Sequence, residues 1–152
     1  MKIMAYQETS MLDFPGQITS IVFCQGCNRH CNYCHNPESI PQDVEGTISW
    51  SSILQHLKNR IGLLDAVTFS GGEPTLQPDL LEKILICQGL GYKIGLHTNG
   101  EGSEFSRVVQ FCDYILLSHP TPEKIKLANE AASFQLSEVI KNEFDKWENI
   151  IT

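Results

Sequence analysis

Between residues 17 and 118, short strand-like runs alternate with helical patterns, and that order constrains the fold more than any other feature of the chain. The run from Ile18 to Phe23 follows the turn signal Pro15-Gly16 and is rich in β-branched residues, which suit a pleated, buried surface. The runs Asp65 to Ser70, Tyr92 to His97 and Asp113 to Ser118 have the same character. Between them, Trp50, Ile53, Leu54, Leu57 and Ile61 recur at helical spacing behind Ser49, a residue type that caps helix N-termini. Leu80, Leu81, Ile84 and Leu85 mark a second helix stopped by Gly89 and Gly91, and a short helix is expected from about Ser103 to Phe111. Beyond Pro120 the pattern is helical, with Val139, Ile140, Phe144 and Trp147 forming one apolar stripe. Strands separated by helices predict a parallel sheet with right-handed crossovers.

No internal repeat and no linker divides the chain, so one domain is expected over residues 1–152, with its core at 17–118 and a helical tail at 119–152. A closed eight-fold barrel takes about 250 residues. At 152 residues the expected architecture is therefore an incomplete α/β barrel with a parallel sheet of four to five strands. Eighteen acidic against eleven basic residues give a formal charge of −7, which argues against non-specific nucleic-acid binding. No apolar run approaches the roughly 18 residues of a membrane span, and Met1 to Ser10 has no signal-peptide core, so a cytoplasmic location is expected.

Four cysteines crowd into eleven positions: Cys24, Cys27, Cys31 and Cys34. A disulfide scaffold would spread its cysteines, whereas clustered thiols in a reducing compartment read as metal ligands. Cys27, Cys31 and Cys34 have the spacing Cys-x3-Cys-x2-Cys with Tyr33 just before the last. Three thiolates on one loop suit an iron–sulfur cubane with one iron left open, since full ligation takes four cysteines. The competing assignment is a four-thiolate zinc site that adds Cys24. Cys87 and Cys112 sit alone in apolar surroundings and read as buried structural thiols, and Cys24 reads as a small buried residue at a strand end.

These residues resemble the signature of the radical S-adenosylmethionine (SAM) superfamily. The fuller run Thr9 to Gly16, together with Gln25-Gly26-Cys27 and Cys34 to Glu38, resembles the activating enzymes of glycyl-radical enzymes, especially those of anaerobic ribonucleoside-triphosphate reductases. The likeness covers roughly residues 8 to 118 and implies an incomplete radical SAM barrel. It implies that Cys27, Cys31 and Cys34 hold a 4Fe–4S cluster and that SAM chelates the open iron. Tyr33 would lie beside the adenine. Gly71, Gly72 and Glu73 would hold the SAM amino group, since glycines admit close backbone approach and a carboxylate suits an ammonium. Thr98 and Asn99 would reach the SAM carboxylate or ribose.

Two positions depart from the family pattern. Relatives often carry acidic residues before Thr-Asn-Gly and at the end of the next strand, where they help hold a monovalent cation; this chain has His97 and Ser118. A protonated His97 would instead meet the SAM carboxylate. The resemblance further implies an anaerobic oxidoreductase that installs a glycyl radical on a partner enzyme, anaerobic ribonucleotide reductase in the first place, with flavodoxin or ferredoxin as electron donor. A radical SAM enzyme acting on a small molecule and a degenerate iron–sulfur electron-transfer protein are the rival readings.

Overall fold

The computed structural model describes residues 1–27, 46–118 and 120–130. Five strands form one sheet in chain order: β1 (Ile3–Ser10), β2 (Thr19–Cys24), β3 (Ala66–Gly71), β4 (Lys93–Thr98) and β5 (Tyr114–Leu117). Helices α1 (Trp50–Asn59), α2 (Leu80–Gly89) and α3 (Phe105–Val108) connect β2 through β5, and α4 (Pro122–Glu130) follows. β2 to β5 pair in parallel, as the strand–helix alternation predicts. The apolar stripe ending in Trp147 lies outside the described residues.

β1, outside the alternating region, adds an antiparallel edge to the parallel strands by pairing with β2. Its register slips between Ile3 and Ala5 and again between Gln7 and Ser10, and its middle residues are half-buried or exposed. Such irregularity is common at sheet edges, where it discourages pairing with other chains. The first helix also ends earlier than its spacing suggests. Gly62 has φ +89, so the chain turns away after Asn59 and leaves Ile61 exposed. At its other end, Ser49 accepts a hydrogen bond from the Ser52 main-chain N at 3.3 Å, as a capping serine should.

Side chains alternate across the sheet. Val22, Phe69, Leu96 and Ile115 stand in register, fully buried, and belong to the core that the helices cover. The level beside them holds Ile21, Thr68, Gly95 and Tyr114. Here Phe14 lies on the sheet. A Cβ on Gly95 would stand 3.0 Å from the Phe14 ring, and Phe14 stacks on Tyr114 with centroids 5.2 Å apart. The missing side chain at position 95 therefore makes the seat for a buried aromatic from the β1–β2 loop. Met11 and Leu12, in the same loop, are exposed.

The two lone cysteines are buried as expected. Burial pushes the Cys87 thiol up to about 12 and Cys112 higher still, so neither is a ready thiolate. Among the described residues, no helix is long and apolar enough to cross a membrane.

Candidate functional site

The carboxyl ends of β2, β3 and β4 lie side by side, so the segments after them meet at one edge of the sheet. Parallel α/β sheets place their sites at this edge. The three segments are Gln25-Gly26-Cys27, Gly71-Gly72-Glu73 and Thr98-Asn99-Gly100.

The first two are locked together through the main chain. Gly72 N donates to Cys24 O at 2.9 Å, and Glu73 N donates to Gly26 O at 2.7 Å. This approach is possible only because position 71 is glycine. Its φ is +104, and a Cβ there would stand 2.3 Å from Cys24 N. Gln77 pins the first segment from the far side, donating to Gln25 O at 2.9 Å. The chain therefore reaches Cys27 along a fixed path.

Glu73 organises the rest. Its side chain is 1% exposed, and its carboxylate accepts from four donors. Oε1 accepts from Asn99 N at 2.7 Å, and Oε2 from Thr75 N at 3.2 Å and from the hydroxyls of Thr75 and Thr98. None of these donors carries a charge. Burial accordingly holds the Glu73 carboxyl above its ordinary pKa, although all four hydrogen bonds pull the other way. The carboxylate thus faces the protein, binding the end of β3 to the end of β4.

Asn99 is fixed from several directions. Besides the bond to Glu73, its carbonyl accepts from Lys124 Nζ at 2.7 Å, and its Oδ1 accepts from Glu101 N at 2.8 Å. Its Nδ2 lies 4.0 Å from Cys27 Sγ. Sequence reasoning missed Lys124, which α4 carries back over the end of β4. Only the 25-residue return of the chain brings it there.

His97 is tied to the loop that precedes β2. Its Nε2 lies 2.9 Å from Asp13 O and its ring meets Tyr114 edge-on at 6.3 Å. Burial holds its pKa below the ordinary value, which favours the neutral ring with Nε2 donating to that carbonyl. His97 thereby ties β4 to the Phe14 loop. Ser118 packs on the same strand end, its main-chain N donating to Thr98 O at 2.9 Å.

The cysteines divide by exposure. Cys24 is fully buried and its thiol is pushed far up, first by burial and then by the nearby Glu73 charge. Cys27 is half-buried at the site edge. Neither is in a disulfide. Cys31, Cys34 and Tyr33 lie outside the described residues, and among the described residues no group of three metal-ligating side chains forms. The donor chemistry fits an iron–sulfur group: Cys27 offers a sulfur ligand at the strand-end edge, with the Asn99 side-chain N–H facing it.

Comparison with known proteins extends this geometry. The model of the radical SAM superfamily matches residues 21–131. The pyruvate formate-lyase-activating enzyme of Clostridium pasteurianum is 33% identical over 122 residues, 76% of this chain and 51% of that protein. A protein of Methanocaldococcus jannaschii, named provisionally as a glycyl-radical enzyme activating enzyme, is 33% identical over 100 residues, 64% of this chain and 40% of its own. The chain thus spans about half the length of these relatives, or less. Among solved structures, QueE from Escherichia coli superposes with a TM-score of 0.54 at 19% identity, covering 99% of this chain and 76% of that one, a likeness of fold.

Proposed function

The chain belongs to the radical SAM superfamily, and from that premise we propose that it is an activating enzyme for a glycyl-radical enzyme. Membership implies a 4Fe–4S cluster and SAM. We assign the cluster to Cys27, Cys31 and Cys34, and SAM to the edge formed by Tyr33, Gly71, Gly72, Glu73, His97, Thr98 and Asn99. Bound there, the pair would supply the reductive cleavage of SAM, a source of hydrogen-abstracting radical chemistry that could act on a backbone glycine.

The chain's own residues do three things toward this chemistry. Gly71 and Gly72 leave the end of β3 bare of side chains, so a ligand could approach the main chain closely there. Glu73 contributes by position: its carboxylate holds Thr98 and Asn99 in place beneath the ligand. His97 ties the Asp13–Phe14 loop to the end of β4 beside this edge, and Phe14 packs buried on Tyr114.

The observation that carries the reading is the meeting of the three strand-end segments at Glu73, whose main-chain N donates to Gly26 O and whose carboxylate holds Thr98 and Asn99, in a chain whose named relatives include activating enzymes. The finer choice of target is anaerobic ribonucleotide reductase, supported by the run Thr9 to Gly16 and by Gln25-Gly26-Cys27. Flavodoxin or ferredoxin is the proposed reductant, and the cytoplasm the proposed location. The test is anaerobic reconstitution of the full chain with iron and sulfide, then mixing with SAM, a low-potential reductant and either anaerobic ribonucleotide reductase or pyruvate formate-lyase. Electron paramagnetic resonance should show a glycyl radical on the reductase. A radical on pyruvate formate-lyase alone would change the target but keep the class. Turnover of a small molecule with no radical on either protein would overturn the activase reading.

A further inference from the structure

Asn99 is 4% exposed, and its polar atoms have assigned tasks. The main-chain N is held by Glu73 at 2.7 Å and the carbonyl by Lys124 Nζ at 2.7 Å. Oδ1 accepts from Glu101 N at 2.8 Å. Only the oxygen of an amide can accept from a main-chain N–H, so this bond fixes which way the side chain is turned. It follows that the atom facing Cys27 Sγ at 4.0 Å is the NH2 group, a donor. Sulfur is a large acceptor, so N–H···S contacts run longer than those to oxygen, and this one stands at the outer end of that range. The main chain of Asn99 is anchored on both sides of its Cα, and its amide cannot swing away from the sulfur without breaking the bond to Glu101 N.

We propose that Asn99 donates a hydrogen bond to the Cys27 thiolate and thereby raises the reduction potential of the cluster bound there. The proposal rests on the cluster-binding reading above and gives Asn99 a task beyond contact with SAM. The physical reason is charge. Taking up one electron from a low-potential donor makes the cluster and its thiolates more negative, and a donor aimed at a ligand sulfur stabilises that reduced form more than the oxidised one. Asn99 is on this account a positioning residue that acts through Cys27, and the buried Glu73 carboxylate is what holds it at its post.

The experiment uses the full chain, reconstituted anaerobically with iron and sulfide, without SAM. Asn99→Ser keeps an oxygen within the tight turn that accepts from Glu101 N but cannot present an N–H to the sulfur. Asn99→Asp keeps the shape and the Oδ1 acceptor and exchanges the NH2 group for oxygen. Redox titration followed by the paramagnetic signal of the reduced cluster gives the midpoint potential, and iron analysis gives occupancy. Both variants should carry wild-type iron and be harder to reduce. A tenfold loss of electron affinity corresponds to about 59 mV for a one-electron couple, and the Asp variant, which adds negative charge, should shift further. An unchanged potential in either iron-loaded variant would overturn the proposal, and so would iron loss in both with no shift in what remains, which would make Asn99 a structural turn. A wild-type chain that takes up no iron would instead overturn the cluster reading beneath it, so the two failures are told apart.

Discussion

Replacing Glu73 tests whether one buried carboxylate holds the site edge together. In Glu73→Gln the side chain keeps its size, but one oxygen becomes an NH2 group. If the remaining oxygen faces Asn99 N, the NH2 group meets the Thr75 N–H; turned over, it meets the Asn99 N–H. The Thr75 and Thr98 hydroxyls can rotate to accept, but a main-chain N–H cannot. One buried donor is therefore orphaned in either orientation, which costs about 1–3 kcal/mol. Glu73→Ala orphans both main-chain donors, for about 2–6 kcal/mol. Against a typical stability of about 5–15 kcal/mol these are large losses. With a chain of this size losing about 2–4 °C of melting temperature per kcal/mol, thermal unfolding of the metal-free protein followed by circular dichroism resolves them. The order should be wild type, then Gln, then Ala. An Ala variant that melts with the wild type would refute the assignment of Glu73 as the organiser of this edge.

The same pair of proteins carries a pH signature. The Glu73 carboxyl titrates above its ordinary value of 4.5 in the folded state because burial disfavours its charge. The folded state then holds this proton more tightly than the unfolded chain does, so protonation stabilises the fold. That stabilisation is full below the unfolded pKa and is lost as pH rises through the raised folded one. The stability of the wild type relative to Glu73→Gln should therefore fall with rising pH above about 4.5 and then level off, other carboxylates cancelling in the difference. A difference that rises with pH would mean that the four donors outweigh burial.

Three further outcomes are expected. Cys27→Ala should lose the reconstituted cluster, whereas Cys24→Ala should keep its iron, as measured by iron analysis after anaerobic reconstitution; equal loss in both would favour four-cysteine ligation. Gly71→Ala should fail to accumulate as folded protein, because a Cβ 2.3 Å from Cys24 N at a φ of +104 separates β3 from β2; a soluble variant with wild-type circular dichroism and melting would contradict that packing. Phe14→Ala should lose about 3–5 kcal/mol in urea unfolding, since Phe14 is 6% exposed on the seat made by Gly95; a loss under 1 kcal/mol would mean that the β1–β2 loop is not held by this aromatic.

How much of this was legible in the sequence depends on the range of the interaction. The parallel strands and the placement of Gly71-Gly72-Glu73 and Thr98-Asn99 just past them follow from periodicity and turn residues, which are local signals. Ser49 as a cap and Cys24 as a buried strand-end residue are local in the same sense. β1 was not legible, because an edge strand with exposed Gln7, Glu8 and Thr9 lacks the alternation that marks a half-buried one. The direction of the Glu73 side chain was not legible either. A carboxylate after two glycines reads as a group offered to a ligand; that it turns inward depends on Thr98 and Asn99, 25 and 26 residues away. Lys124 and the His97–Asp13 tether are further examples, spanning 25 and 84 residues.

Glu73 also bears on which cysteines ligate. Cys24 and Cys27 are three residues apart, and both would serve a four-thiolate metal site if thiolate formation were equally easy for each. It is not. Cys24 lies fully buried in β2, and after burial itself the Glu73 charge is the next largest influence holding its thiol protonated. A second anion there would lose its hydration and would also stand near the Glu73 carboxylate. Cys27 stands half-buried at the edge, where the Asn99 amide faces its sulfur. Glu73 thus bears on both cysteines: its charge adds to burial in opposing a thiolate at position 24, and it holds the Asn99 whose amide faces the sulfur at position 27. The proposed three-cysteine assignment accords with this asymmetry, and the Cys24→Ala and Asn99→Ser measurements test its two halves separately.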